Sequence, residues 1–205
     1  ARGTRRAYMN VVRLIGTIVV CPAHYLEALE EGDELYFICF SLVIKLTFDP
    51  SRVTLVNSQQ DLMVWDLGNM VPPSIDTLKM IPTLEDWDHF QDGPGAFAVT
   101  KYNSKFPTNY INTLTMIERI RANTQNPTGC YSMMGSQHTI TTGLRYQMFS
   151  LDGFCGGLIL RASTNMVRKV VGIHVAGRQN HAMGYAECLI AEDLRAAVAR
   201  LALDP

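Results

Sequence analysis

Between Tyr8 and Val71 the chain repeats short runs rich in β-branched and aromatic residues: Met9 to Leu14, Thr17 to Cys21, Leu35 to Phe40, Leu42 to Phe48, Val53 to Val56 and Leu62 to Leu67. Each has strand length, and Gly16, Gly32-Asp33, Asp49-Pro50 and Gly68-Asn69 fall between several of them, so this half reads as all-β. The rhythm stops from Val71 to Gly95, where Pro72, Pro73, Pro82 and Pro94 and the acidic Glu85, Asp86 and Asp88 indicate loop and crossover. It resumes at Ala96 to Tyr102, Tyr110 to Arg121, Gly129 to Gly135, Thr139 to Phe149, Leu158 to Ala162, Val167 to Val175 and Ala182 to Leu189. The last segment changes period. Leu194, Ala197, Val198 and Leu201 recur at helical spacing, with Glu192 and Asp193 in the first turn, which predicts an amphipathic helix with favourable charge placement. The expectation is an all-β protein of two antiparallel β-barrels, residues 1–90 and 91–205, the second ending in a helix.

Composition narrows the class. A chain of 205 residues with 47% hydrophobic and 18% charged residues can bury a substantial core, which excludes a disordered tail and a disulfide-dense miniature scaffold. Lys plus Arg is 18 against 19 for Asp plus Glu, so there is no overall field to draw in nucleic acid or anionic lipid. Only a local patch such as the basic run Arg2 to Arg6 would do so, and weak RNA binding is the partner it would suit. The longest apolar stretch, Leu35 to Leu46, is broken by Ser41 and Lys45 and falls short of the roughly 18 to 20 residues of a bilayer helix, so no membrane segment is expected. No charged segment followed by an apolar one opens the sequence, and nothing marks it for secretion. The five cysteines, Cys21, Cys39, Cys130, Cys155 and Cys188, are odd in number and form no C-x-x-C pair, which suits a reducing compartment. The histidines are isolated, so a metal-dependent hydrolase is disfavoured and no cofactor is expected.

The chemistry concentrates in Asp152-Gly153-Phe154-Cys155-Gly156-Gly157, between two strand-like runs. Glycines on a tight turn hold a thiol outward and let the surrounding amides converge on one point, as acyl transfer requires. Alone, this string leaves a catalytic thiol and a packed cysteine in a glycine-rich turn equally open. Together with Gly172-Ile173-His174-Val175-Ala176-Gly177 it resembles the nucleophile and specificity-pocket motifs of picornavirus 3C-like cysteine proteases, relatives of the chymotrypsin fold. Within that family the divergent insect-virus branches, of dicistrovirus and iflavirus type, are the suspected grouping.

The resemblance implies a catalytic triad and a pocket. Cys155 is the implied nucleophile, and the amides of Gly153 and Cys155 form the oxyanion hole. His24, after the apolar run Val19-Val20-Cys21, stands where the family places its general base, whereas His89, His138 and His181 match no family motif. The third position falls on Asp61, at the start of what reads as an alternating strand, with Asp66 as its rival on the opposite face. His174 is implied to receive the side chain before the scissile bond, usually glutamine, with Tyr146 locking its ring. Ser150, where the family often has threonine, is a second contact in that pocket.

Two departures stand beside these matches. Fewer residues precede His24 than the family normally uses, so its N-terminal helix, and with it the first strand, is expected to be missing or replaced. Nothing between Val71 and Gly95 matches the short basic RNA-binding motif that these proteases often carry between the barrels. The function implied is a cysteine endopeptidase that processes a viral polyprotein after Gln, with Glu second, in the host cell cytoplasm. The alternative is a protease-fold RNA-binding domain with a basic N-terminal segment and little or no catalysis.

Overall fold

The computed structural model describes residues 7–103, 106–121, 129–133, 136–140, 143–178 and 181–203. Strands β1 (Val12–Ile15) and β2 (Ile18–Cys21) form a tight hairpin at Gly16, whose φ of +56° is available to glycine without steric penalty. With β5 (Val53–Leu55) and β6 (Met63–Asp66) they make a four-stranded antiparallel sheet in the order β1-β2-β6-β5. A separate ribbon, β3 (Glu34–Cys39) and β4 (Leu42–Thr47), turns through Phe40 and Ser41. Such a two-residue connection needs left-handed backbone, supplied here by Phe40 at φ +53°. A first strand therefore does precede the one leading to His24.

This sheet is covered on both faces. Val19, Cys21, Met63 and Trp65 pack against Phe37 of the ribbon and Phe48 just after it, while Val20, Leu62 and Val64 belong to a second cluster. Alternate residues of a strand face opposite sides, so burial on both sides turns β6 into a continuous apolar run rather than an alternating one.

After the proline-rich crossover come β7 (Gly93–Asn103) and β8 (Phe106–Arg119), then a two-stranded ribbon of β9 (Gly129–Met133) and β10 (Ser136–Ile140). Strands β11 (Gly143–Gln147), β12 (Leu158–Arg161), β13 (Val170–Arg178) and β14 (Met183–Cys188) follow. They close with β7 and β8 into a six-stranded barrel in the order β11-β14-β13-β12-β7-β8. Its interior holds Phe97, Leu114, Ile117, Leu144, Tyr146 and Ile159, among others. The single run expected over Thr139 to Phe149 is divided between β10 and β11, which pair with different partners. The protein is thus mostly β, and its described residues form one hydrogen-bonded barrel and, in the N-terminal half, an open sheet sharing its core with a ribbon.

Among the described residues, two α-helices complete the fold. α1 (Leu84–Asp88) lies in the stretch expected to be loop, started by a capping box in which the side chains of Thr83 and Asp86 each bond the other's backbone amide. It delivers Trp87 to the barrel core, where its indole donates to the Leu189 carbonyl at 2.8 Å. α2 (Ala191–Leu203) takes the predicted amphipathic form. It follows the barrel in sequence, yet Leu194 and Ala197 pack with Leu14, Leu62 and Val64 of the N-terminal sheet and with Ile173 and Leu189 of the barrel. Arg200 adds bonds to the carbonyls of Leu55 and Val56 at 2.8 and 2.9 Å. The helix closes the seam along which the two halves meet.

Candidate active site

His24 sits in the 3-10 turn Ala23–Glu27 that Pro22 starts directly after β2. Asp61 lies in the loop before β6, not on the strand, so its distinction from Asp66 does not rest on strand parity. Its carboxylate holds His24 twice, accepting from the backbone amide at 2.8 Å and meeting Nδ1 at 2.6 Å. The Asp61 carbonyl accepts from the Ala23 amide at 3.2 Å. Asp66, at the far end of β6, is used elsewhere, accepting from the Thr17 hydroxyl at 2.6 Å and the Gly68 amide at 2.9 Å.

Cys155 completes this cluster. Burial lowers the pKa of His24, but the hydrogen bonds to Asp61 and to the Cys155 thiol, with the charges of both, outweigh it and raise the pKa to about 9. The histidine is therefore poised to carry a proton beside the thiol, the arrangement in which a cysteine becomes nucleophilic. Cys21 and Cys188 are buried thiols whose pKa burial drives well above the ordinary range, leaving them packing residues. The side chains of Cys130 and His138 lie outside the described residues, as does the basic run Arg2 to Arg6.

The turn bearing Cys155 is fastened from two sides. Gly156 donates to the His174 carbonyl at 2.8 Å, and the His174 amide donates to the Gly157 carbonyl at 2.8 Å, so the two sequence motifs are physically joined. From the N-terminal half, the Asn10 amide side chain donates to the Gly153 carbonyl at 2.7 Å. The Tyr25 hydroxyl, with one proton to give, lies 2.6 Å from the Cys155 carbonyl and 3.0 Å from that of Asn10. A side chain at Gly156 would put its Cβ 1.9 Å from the Asn10 carbonyl oxygen, and the residue's φ of +85° also demands glycine. Among the described residues, the amides of Phe154, Gly156 and Gly157 donate to backbone carbonyls, whereas those of Gly153 and Cys155 have no partner. Gly153, at φ +87°, gives the turn its sharp bend.

His174 stands on β13 with 1% of its surface exposed. Its Nδ1 lies 2.5 Å from the Tyr146 hydroxyl and its Nε2 3.2 Å from the Ser150 hydroxyl. Burial, helped by the charge of His24, pushes its pKa down to about 3, so the ring is neutral. Burial and the charge of Cys155 raise Tyr146 well above its ordinary value, keeping its proton on the hydroxyl. The Tyr146 ring fits because position 184 is glycine; a Cβ there would come within 2.3 Å of it.

Contacts thus link the sequence-derived residues Cys155, His24, Asp61, Gly153, His174, Tyr146 and Ser150 into one cluster. Reading the sequence missed Asn10, Tyr25 and Glu187. Tyr25 directly follows the candidate base, and Glu187 is a lone charge in the run Ala186 to Leu189; each was a signal, while Asn10 offered none. Among the described residues no three metal-ligating side chains are placed to hold an ion, and no helix is long and apolar enough to cross a membrane.

Fold and chemistry define a chymotrypsin-fold cysteine peptidase. The match to the Tungro spherical virus-type peptidase family runs over residues 1–204, and the chain belongs to that family. It is 41% identical over 192 residues to the genome polyprotein of rice tungro spherical virus (strain A), covering 94% of this chain and 6% of that polyprotein. To the replicase polyprotein of acute bee paralysis virus it is 25% identical over 198 residues, covering 94% of this chain and 10% of the relative. Of these two, the plant-virus relative is the more similar, and the insect-virus grouping suspected from sequence falls at the more distant one. The fold is similar to that of a catalytically inactive tobacco etch virus protease in complex with substrate, with a TM-score of 0.64 and 12% identity over 93% of this chain and 75% of the other. It is also similar to an inactive murine norovirus protease, with a TM-score of 0.51 and 14% identity over 90% and 92% of the two chains.

Proposed function

We propose that this peptidase cuts the viral polyprotein after glutamine, with glutamate as the second choice, using a Cys155-His24-Asp61 triad in the host cell cytoplasm. The observation that carries the reading is the contact of one histidine, His24, with both Asp61 and Cys155. Cys155 attacks the scissile carbonyl as the thiolate, forming a C–S bond as the carbonyl π electrons move onto oxygen. The amides of Gly153 and Cys155, which have no other partner among the described residues, donate to that oxyanion, each bond worth about 3 to 4 kcal/mol by analogy with serine proteases. The His24 imidazolium then gives its proton to the leaving amine as the C–N bond breaks. Water, deprotonated by His24, hydrolyses the thioester in the second half-reaction. Asp61 holds the ring by Nδ1 and steadies its positive charge.

The pocket reading rests on the neutral His174. With Tyr146 donating to Nδ1, the ring proton sits on Nε2 and is offered to the side-chain carbonyl of glutamine, with the Ser150 hydroxyl beside it. Residues 1–90 and 91–205 are read as the two units of this fold, the N-terminal sheet and ribbon serving as the less completely bonded counterpart of the closed barrel. A polyprotein substrate is favoured by the genome polyproteins among the relatives, of which this chain spans a small fraction.

The test is digestion of a peptide library with the cleaved bonds read by mass spectrometry. Glutamine should dominate before the cut, and Cys155→Ala should leave less than about a hundredth of wild-type turnover in a folded protein. A preference for basic or aromatic residues there, or activity in Cys155→Ala, overturns the reading.

A further inference from the structure

Glu187 is a buried carboxyl that the steps above do not use. Its neighbours on β14, Ala186 and Cys188, face the barrel core, so the Glu187 side chain points the opposite way, into the seam where Ile173, Leu189, Leu62 and Val64 pack. Only 3% of the residue is exposed. A carboxyl in such surroundings is unfavourable unless local donors compensate it, and apolar replacements of buried polar groups are often neutral or stabilising. Packing alone therefore gives no reason for a glutamate at this point.

Its donors come from the loop that bears the candidate acid. The Asp61 backbone amide donates to Glu187 Oε1 at 3.1 Å, and the Gln60 side chain also bonds the carboxyl. Gln60 Nε2 donates to the neighbouring Cys188 carbonyl at 2.9 Å. At its other end the loop is tightened by Asn57, whose side-chain carbonyl accepts from the amides of Gln59 and Gln60 at 2.9 Å. Among the described residues, the hydrogen bonds between this loop and the barrel at the level of Asp61 run to Glu187 and to the backbone of the strand carrying it, beside the apolar packing of Leu62.

We propose that Glu187 is a positioning residue of the peptidase: it holds the Asp61 backbone so that one carboxylate reaches both the ring and the amide of His24, registering the N-terminal base against the barrel that carries Cys155. Either protonation state of the carboxyl leaves an oxygen able to accept from the Asp61 amide, so the role survives replacement by glutamine but not by a side chain without an acceptor. The inference rests on the reading of Asp61 as the acid.

The test compares Glu187→Gln, Glu187→Met and Asp61→Asn, alone and combined, by steady-state kinetics on a glutamine-containing peptide. Glu187→Met should lower kcat by about 10- to 100-fold with KM within about twofold, since a displacement near 1 Å at a catalytic group costs that much. Glu187→Gln should stay within about threefold of wild type, a rescue that a general packing role would not produce. In the Asp61→Asn background, Glu187→Met should add almost nothing, because both changes act through one group. The downfield proton resonance of His24 Nδ1–H should persist in Glu187→Gln and shift or broaden in Glu187→Met. If Glu187→Met does not fold, Glu187→Asp, which withdraws the acceptor by one methylene, is read by the same measurements. A kcat within about threefold of wild type in the methionine variant, or in the aspartate variant where that substitutes for it, overturns the inference, as do losses that multiply with Asp61→Asn. If Asp61→Asn itself is as active as wild type, the acid assignment fails first and takes this inference with it.

Discussion

His24 and His174 both contact the turn bearing Cys155 and are nearly closed to solvent, at 9% and 1% exposure, yet one is raised to a pKa of about 9 and the other lowered to about 3. Burial pushes both in the same direction, toward the neutral ring, so the difference comes from what each touches. His24, in the N-terminal half, meets a carboxylate and a thiol that favour its charge. His174, in the barrel, meets the hydroxyls of Tyr146 and Ser150, which supply no counter-charge. The two are also coupled, since the charge of His24 is the second cause holding His174 neutral. A histidine favoured in its charged form thus sits near one held neutral, and the charge of the first helps to keep the second uncharged.

The largest effect should come from removing the charge difference at its source. Asp61→Asn deletes a hydrogen bond and a negative charge that raise His24, and it offers an amide to a ring nitrogen that needs an acceptor. Turnover should fall by about 100-fold with KM little changed, short of the loss in serine proteases because a thiol ionises more readily than a hydroxyl. The alkaline limb of kcat/KM should lie near pH 9 in the wild type, where His24 loses its proton, and move to lower pH in the variant. An unmoved limb would show that something other than Asp61 holds the imidazolium. Asp66→Asn should be nearly silent, because Asp66 is bonded to Thr17 and Gly68 at the far end of the strand.

At the other histidine the expected loss is one of selectivity. His174→Ala should reduce kcat/KM for a glutamine peptide by about 10- to 100-fold while a peptide with a small apolar residue there changes little, because a donor matched to a polar group discriminates by leaving wrong partners unpaired. Cys155 should remain alkylatable, which separates a pocket defect from collapse of the turn. Equal losses on both peptides would move the specificity determinant away from His174.

How much of this was legible follows from how local each determinant is. Cys155 and His174 lie in short glycine-bearing motifs, and the strand runs of both halves appear at nearly the expected places. The family resemblance points to Asp61 because the family's acid precedes the apolar strand; the expectation that strand parity separates Asp61 from Asp66 gives way to a loop position from which the Asp61 carboxylate meets His24 twice. The Asn10, Tyr25 and Glu187 contacts join residues 143, 130 and 126 positions apart, and no local pattern encodes a bond of that reach. Barrel closure is hidden for the same reason: β8 meeting β11 across an intervening ribbon is a property of paired edges rather than of either strand. α1 was overlooked because five residues in a proline-rich stretch give almost no periodicity, although Thr83 and Asp86 stood at capping-box spacing.

The smallest expected effect sharpens the comparison most, because it alters a ring's partner without removing the ring. Tyr146→Phe deletes the hydroxyl beside His174 Nδ1 and leaves the barrel packing almost unchanged, since the aromatic ring still fills the space at Gly184. The freed imidazole remains buried, so it remains neutral, but its proton is no longer directed to Nε2 and divides between the two nitrogens. Only the Nε2–H tautomer donates into the pocket, so kcat/KM for glutamine peptides should fall by about three- to tenfold, equivalent to one ordinary neutral hydrogen bond of about 1 kcal/mol. Glutamine should stay the preferred residue, and the pH profile set by His24 should not move. A Tyr146→Phe enzyme that loses the preference as fully as His174→Ala would mean that the hydroxyl itself contacts substrate. A wild-type profile would mean that burial and Ser150 alone fix the tautomer.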